Sequence, residues 1–183
     1  AMGVKDSKML SPKQREYLFK EIKKIVKSYE IIILSPKEVD EALIDEHMNL
    51  NWLEAITSSE LINRLKPEKA ILDCPSNNLK SYADYVISHL DNKNIKIISE
   101  HKADVNYPIV AAASILAKVT RDREIENIKK EIGINFGSGY PSDSITSEFL
   151  KNNWHRYPKI FRKTWASYQK LAFAKKQKNL GEF

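Results

Sequence analysis

Residues 69–99 decide the fold class. They read Lys69-Ala-Ile-Leu-Asp73, then the polar loop Cys74-Pro-Ser-Asn-Asn78, then an amphipathic stretch over 79–90, then Ile95-Lys-Ile-Ile-Ser99. Short apolar runs predict two strands, the first of buried type, and the 3.6-residue spacing between them predicts a helix. Strand, helix and strand in succession is the unit of a layered α/β fold. Upstream, residues 49–65 predict a helix broken by Lys66-Pro67, because a proline disfavours helical backbone in the residue before it. Residues 29–34 are short and β-branched and predict a third strand, with Ser35-Pro36 capping a short helix after it. Ser11-Pro12 predicts another capped helix, whose Leu18, Ile22, Ile25 and Val26 should face a core. Downstream, residues 108–132 predict the longest helix, opening with proline and rich in alanine. Gly137-Ser-Gly-Tyr-Pro141 is a turn cluster, and Ser142 or Asp143 would cap the helix after it. The remainder is helical and basic, with Trp154 and Trp165 packing the tail onto the body. Three strands are few for this length, and no repeat or linker divides the chain.

The chain has 183 residues, 42% hydrophobic and 30% charged, which suits one domain, or one with a small appendage, around a real core. Its longest apolar runs, 31–34 and 109–113, fall far short of the roughly 20 residues that a membrane span needs. The first residues contain no apolar core of a secretory signal. A single cysteine, Cys74, permits no internal disulfide and fits a reducing cytoplasm. The net charge of +6 is unevenly spread: residues 151–183 carry +8, residues 1–27 carry +5, and the middle carries −7. Basic ends around an acidic centre suit a polyanion held by flanking surfaces, with carboxylates kept for metal or acid–base work. Two solvated helix faces would explain the same pattern.

Asp73 ends a strand and opens a polar loop, and ligands in α/β sheets sit at the carboxyl ends of strands. An Asx-turn or a helix cap would also place an aspartate there. Asp122 lies late in the long helix between Lys118 and Glu126, a spacing that also makes an ordinary solvated ladder. Ala111-Ala112-Ala113-Ser114 would permit close approach of another backbone or of a nucleic-acid strand, and equally of a sheet. His101-Lys102-Ala103-Asp104 follows a strand, and one histidine with one aspartate at this spacing is no zinc site. Lys102 could contact a phosphate, and Asp6-Ser7-Lys8 offers a hydroxyl and a cation. Tyr140, on its glycine-rich turn, could stack on a base or ribose or simply be a buried tyrosine. No Walker loop, GxGxxG or GxSxG is present.

Taken in order, several segments resemble archaeal ribonuclease HII, the type 2 ribonuclease H family. They are Val4-Lys-Asp-Ser-Lys-Met-Leu-Ser-Pro12, the strand ending at Asp73, and His101-Lys-Ala-Asp104. The run from Tyr107 to Arg123 (Tyr-Pro-Ile-Val-Ala-Ala-Ala-Ser-Ile-Leu-Ala-Lys-Val-Thr-Arg-Asp-Arg) and Gly137-Ser-Gly-Tyr-Pro-Ser-Asp143 complete the set. The resemblance runs from Gly3 to about Leu171. It implies a ribonuclease H-like mixed sheet flanked by helices, with a catalytic region over 1–140 and a basic helical substrate-binding extension over 141–183. It also implies cleavage of the RNA strand of RNA–DNA hybrids and incision 5′ of ribonucleotides embedded in DNA, leaving 5′-phosphates, as in ribonucleotide excision repair. Four carboxylates binding Mg²⁺ or Mn²⁺ would do the chemistry. By motif position Asp73 resembles the third and Asp122 the fourth. Tyr140 resembles the residue at the RNA–DNA junction, and Ser7, Lys8 and Lys102 resemble substrate contacts.

One departure matters. The family opens with a strand carrying Asp-Glu-Ala-Gly-Arg-Gly-Pro, the source of its first two carboxylates, and this sequence has no counterpart. The family's five strands run in the order 3-2-1-4-5, so residues 29–34, 69–73 and 95–99 would be strands three, four and five. The first two strands are expected to be missing from an N-terminally incomplete sequence, which would then be nearly inactive by itself. A hybrid-binding module without catalysis is the alternative. A cytoplasmic monomer is expected.

Overall fold

The computed structural model describes residues 10–180. Eight helices and two strands follow one another among them: α1 (Pro12–Ile25), α2 (Pro36–Ala42), α3 (Leu50–Leu65), β1 (Lys69–Asp73), α4 (Leu79–Ser88), β2 (Lys96–Glu100), α5 (Ala103–Asn106), α6 (Pro108–Ile132), α7 (Ser144–Asn153) and α8 (Ala166–Leu180). The strand–helix–strand unit is as the sequence predicts, with β2 starting one residue later and α4 ending two residues earlier. β1 and β2 pair in parallel, in a register that sets Asp73 opposite Glu100.

Local chemistry accounts for the helix ends. Ser11 and Ser35 each form a capping box, with Gln14 and Glu38 returning the bond, and a proline follows each serine. Asn49 caps α3 by accepting the Trp52 N–H, and Lys66 ends it in the left-handed conformation at φ 48° before Pro67. Of the two candidates before α7, Asp143 is the cap, accepting from the Ile145 N–H at 3.0 Å.

The described residues form two compact units. The first holds residues up to Ile33 together with Asn49–Arg121, and it contains two apolar clusters. One joins Ala55 and Ile62 of α3 to Tyr82 and Val86 of α4, with Cys74, Leu90 and Ile95, and it holds the β1 end in place. Val86 is fully buried, and burial of a side chain of that kind contributes about 1.5–3 kcal/mol. The buried Ser59 hydroxyl crosses the same interface, 2.8 Å from the Ala55 carbonyl and 3.1 Å from that of Val86. The other cluster packs Leu18, Phe19 and Ile22 of α1 on Ile115, Leu116 and Val119 of α6. The second unit takes Leu34–Met48 and residues from Asp122 onward. Aromatic contacts organise it: Phe149 meets Phe136, Tyr157 and Phe161, and Trp154 packs edge-on against Tyr168 of α8. Division by compactness falls at 33/34, 48/49 and 121/122, the last of these within α6.

Three expectations are corrected. Residues 29–34 form no strand, so the sheet has two strands, paired in parallel, where three were expected. A strand needs a neighbour for its N–H and C=O groups, and none is paired to this segment, so Tyr29, Ile33 and Leu34 stay exposed. For the same reason β1 is half-buried at Ala70, Ile71 and Leu72 rather than a buried strand. On α1, Leu18 and Ile22 are buried as expected, whereas Ile25 is 68% exposed and Phe19 takes its place in the core.

Candidate active site

At the carboxyl ends of β1 and β2 the chain is sewn together by four hydrogen bonds. The Cys74 N–H donates to the Glu100 carbonyl at 2.9 Å, extending the ladder by one residue. His101 Nδ1 lies 3.1 Å from the Cys74 carbonyl. The Ala103 N–H donates to Asp73 Oδ1 at 3.1 Å, and the Tyr107 hydroxyl donates to Glu100 Oε1 at 2.7 Å. That last bond, ahead of desolvation, raises the Tyr107 pKa.

The turn between β2 and α5 carries the remaining candidates. Lys102 is exposed and left-handed at φ 55°, a conformation that costs a residue with a Cβ about 1–2 kcal/mol. No side chain caps α5 from position 102. The Asp73 carboxylate accepts its first N–H instead, so a strand-end acid serves as the missing cap. Asp104, the second residue of α5, is 8% exposed and, with Ser59, one of two buried polar residues among the described residues. Glu54 of α3 faces the same strand end. Crowding by the surrounding chain, then the Asp73 charge, push its pKa up although its side chain reaches solvent.

Of the residues read from the sequence, the structure brings Asp73 and Lys102 to this strand end. Asp122 lies on α6 in the second unit. Tyr140, also in that unit, is 40% exposed on a turn of fixed geometry. Gly137 and Gly139 take φ of 81° and 76° there, and a Cβ on Gly137 would lie 2.5 Å from Asp143 Oδ2. Asp143 accepts the Ser138 N–H at 2.6 Å, and the Thr146 hydroxyl accepts from the Gly139 N–H and donates to the Phe136 carbonyl. Backbone bonding from Ser138, before all else, lowers the Asp143 pKa. Ser7 and Lys8 lie outside the described residues.

Asp104, Glu100 and Glu54 were not singled out from sequence as site residues. For Asp104 a signal existed: an acid beginning a helix directly after a strand, within the segment His101-Lys-Ala-Asp104. As metal ligands, Asp73 and Asp104 fit in kind, because carboxylate oxygens suit hard divalent cations. In number they fall short: among the described residues, no three Asp, Glu, His or Cys side chains are gathered to hold a metal ion.

Residues 1–168 match the family profile of Ribonuclease HII. The chain belongs to the ribonuclease HII family. The ribonuclease HII of Pyrococcus horikoshii is 43% identical over 189 residues, covering 100% of this chain and 83% of that protein. Among solved structures, the ribonuclease H2 of Pyrococcus horikoshii OT3 is similar at a TM-score of 0.82 and 44% identity, over 93% of this chain and 80% of that one. The PCNA:RNase HII complex of Archaeoglobus fulgidus is similar at a TM-score of 0.76 and 42% identity, over 87% of this chain and 74% of that one. The α/β arrangement of this ribonuclease HII member is therefore that of its relatives. No helix among the described residues is long and apolar enough to cross a membrane.

Proposed function

We propose that this ribonuclease HII member belongs to an endonuclease that hydrolyses the RNA strand of RNA–DNA hybrids and incises 5′ of ribonucleotides embedded in DNA, leaving 5′-phosphates. The observation that carries this reading is Asp73, fixed by the Ala103 N–H at a strand end beside the buried Asp104. Acids at and just beyond the carboxyl end of a parallel pair suit a cation-dependent reaction at phosphate. Mg²⁺ or Mn²⁺, when bound, would supply an activated water and stabilise the leaving oxygen. Asp73 and Asp122 are the ligands that the motifs suggest, and the geometry supports Asp104 as a companion of Asp73.

Tyr140 would meet the ribonucleotide at the RNA–DNA junction, where the 2′-hydroxyl tells RNA from DNA. Lys102, with Ser7 and Lys8, would contact the backbone near the cut. Residues 1–140 would form the catalytic region. The extension over 141–183 would grip phosphates without reading sequence, and the protein would act as a cytoplasmic monomer. The Archaeoglobus relative's complex supports PCNA as a further partner, which co-elution of the two proteins would test.

The sequence contains no Asp-Glu-Ala-Gly-Arg-Gly segment, and the described residues gather no third ligand. These 183 residues alone are therefore expected to cleave little or not at all. The same observations favour the second reading, a hybrid-binding module without catalysis. The test is cleavage of a duplex DNA containing one ribonucleotide, with Mg²⁺ or Mn²⁺, by this chain and by one extended upstream with the family's opening segment. Cleavage by the extended chain alone supports the enzyme. Salt-sensitive binding with cleavage by neither supports the module. In the extended chain Asp73→Asn and Asp104→Asn should each abolish cleavage and spare binding. Asp122→Asn decides whether that residue shares the chemistry.

A further inference from the structure

The turn that presents Lys102 and Asp104 is held by few bonds. Lys102 is in a conformation that its side chain disfavours, and α5 has only four residues and no side-chain cap of its own. Such a turn keeps its shape only where the surroundings impose it. Two main-chain N–H groups tie it to β1: that of Cys74, to the Glu100 carbonyl, and that of Ala103, to Asp73. The third tie comes from a side chain, the His101 imidazole at the Cys74 carbonyl. A carbonyl oxygen can only accept, so Nδ1 must carry the proton in this bond, which fixes both tautomer and ring orientation.

We propose that His101 is a positioning residue: its Nδ1–H, given to the Cys74 carbonyl, pins the turn carrying Lys102 and Asp104 to the strand end carrying Asp73. The proposal rests on the reading of this strand end as the active site. The carbonyl that His101 holds belongs to the residue next to Asp73, and the bond spans 27 residues of sequence. It therefore sets Asp73 and Asp104 in one register, together with the Ala103 N–H. Without it, the Ala103–Asp73 bond would open more often and Asp104 would lose its fixed place relative to Asp73.

The two ring nitrogens can be separated chemically. An asparagine amide N–H stands close to where Nδ1–H stands, whereas a glutamine amide reaches the position of Nε2. The experiment uses the whole ¹⁵N-labelled chain as wild type, His101→Ala, His101→Asn and His101→Gln. Long-range ¹H–¹⁵N spectra should show the His101 proton on Nδ1. Amide exchange at Ala103 should accelerate about two- to tenfold in the Ala and Gln variants, the loss of one hydrogen bond, and stay near wild type in Asn. Mn²⁺ alone serves as the second probe. Broadening of the Ala103 and Asp104 signals should need about tenfold more Mn²⁺ in Ala and Gln than in wild type or Asn, the size expected when a ligand's supporting bond is lost. If Mn²⁺ leaves these signals untouched in wild type, the metal reading fails, and the exchange rates still decide the role of His101. A proton on Nε2, unchanged exchange in the Ala variant, or rescue by Gln rather than Asn would overturn the proposal.

Discussion

Replacing Asp40 by alanine removes one acceptor that serves three donors at once. Its Oδ2 accepts the Lys163 N–H at 2.7 Å, and its Oδ1 accepts both the Thr164 N–H at 3.0 Å and the Thr164 hydroxyl at 2.7 Å. These bonds join α2 to the segment before α8 across more than 120 residues of sequence, so they close the second unit on itself. A hydrogen bond to a charged group is worth about 1.5–3 kcal/mol when sheltered and less when wet. The two Thr164 bonds are half-sheltered and the Lys163 bond is exposed. Allowing about 1 kcal/mol for each sheltered bond and little for the third, Asp40→Ala should cost about 2 kcal/mol. Asp40→Asn keeps one oxygen for Thr164 and turns an N–H toward Lys163, so it should cost about half as much. Burial acts to raise the Asp40 pKa, but the Thr164 hydroxyl, the two backbone N–H groups and the Arg162 charge outweigh it, and the net shift is downward from 3.8. A carboxylate with a lowered folded pKa contributes stability that is whole above its unfolded pKa and is lost as pH falls through the folded one. The gap between wild type and Asp40→Ala should thus be full at pH 6 and narrow below about pH 3.8. Urea unfolding followed through Trp154 and Trp165, both in this unit, reads it. A cost under about 0.5 kcal/mol at pH 6, or a gap indifferent to acid, would refute the reasoning, because wet bonds would then carry no net stability.

Ile115, fully buried against α1, should lose about 2–4 kcal/mol on truncation to alanine. A melting temperature lowered by less than about 3 °C would show that the α1–α6 cluster collapses around the cavity. Tyr82 has its pKa pushed up to about 12 by burial first and by the Glu54 charge second, so ultraviolet titration should find one phenol still protonated well above 10.0. The stability it contributes is whole below the unfolded value and lost as pH rises toward 12; full ionisation of every tyrosine by pH 11 would contradict the burial. Binding of an RNA–DNA hybrid should weaken steeply between about 50 and 200 mM salt, in proportion to the phosphates that the basic extension neutralises. Fluorescence anisotropy that stays flat across that range would remove the extension from the interface.

How much of this fold was legible in the sequence depended on how local its causes are. Ser11-Pro12, Ser35-Pro36, Asn49 and Lys66-Pro67 set helix ends through atoms within three residues of each other, so reading them needed no tertiary knowledge. The β1–α4–β2 unit was legible because one hydrophobic pattern serves both the elements and their packing. Residues 29–34 carry a strand pattern as strong as that of β1, yet strand formation is settled by a neighbour, and no strand is paired to them. Side-chain pattern alone cannot reveal a missing partner. Ile25 fails for a related reason: periodicity gives a face, whereas the contacts made with α6 decide which members of that face are covered, and Phe19 was one of them.

The site divides in the same way. Asp73 was legible because the end of a strand is a position that sequence can locate. A companion for it is not legible in the same way, because weighing Asp104 against Asp122 requires knowing which one the chain returns to Asp73. Helical spacing around Asp122, with Lys118 and Glu126 at four residues, suits an ordinary solvated ladder as well as a placed ligand. The bond from the Ala103 N–H to Asp73 spans 30 residues and ties the start of α5, where Asp104 is buried, to the strand end. Burial of a carboxylate is costly unless something compensates it, so the buried acid next in sequence to the residue that binds Asp73 is itself a candidate for function. The two acids differ measurably: if Asp104 serves, Asp104→Asn removes the metal response at this strand end while Asp122→Asn leaves it, and the opposite result would return the assignment to the helix.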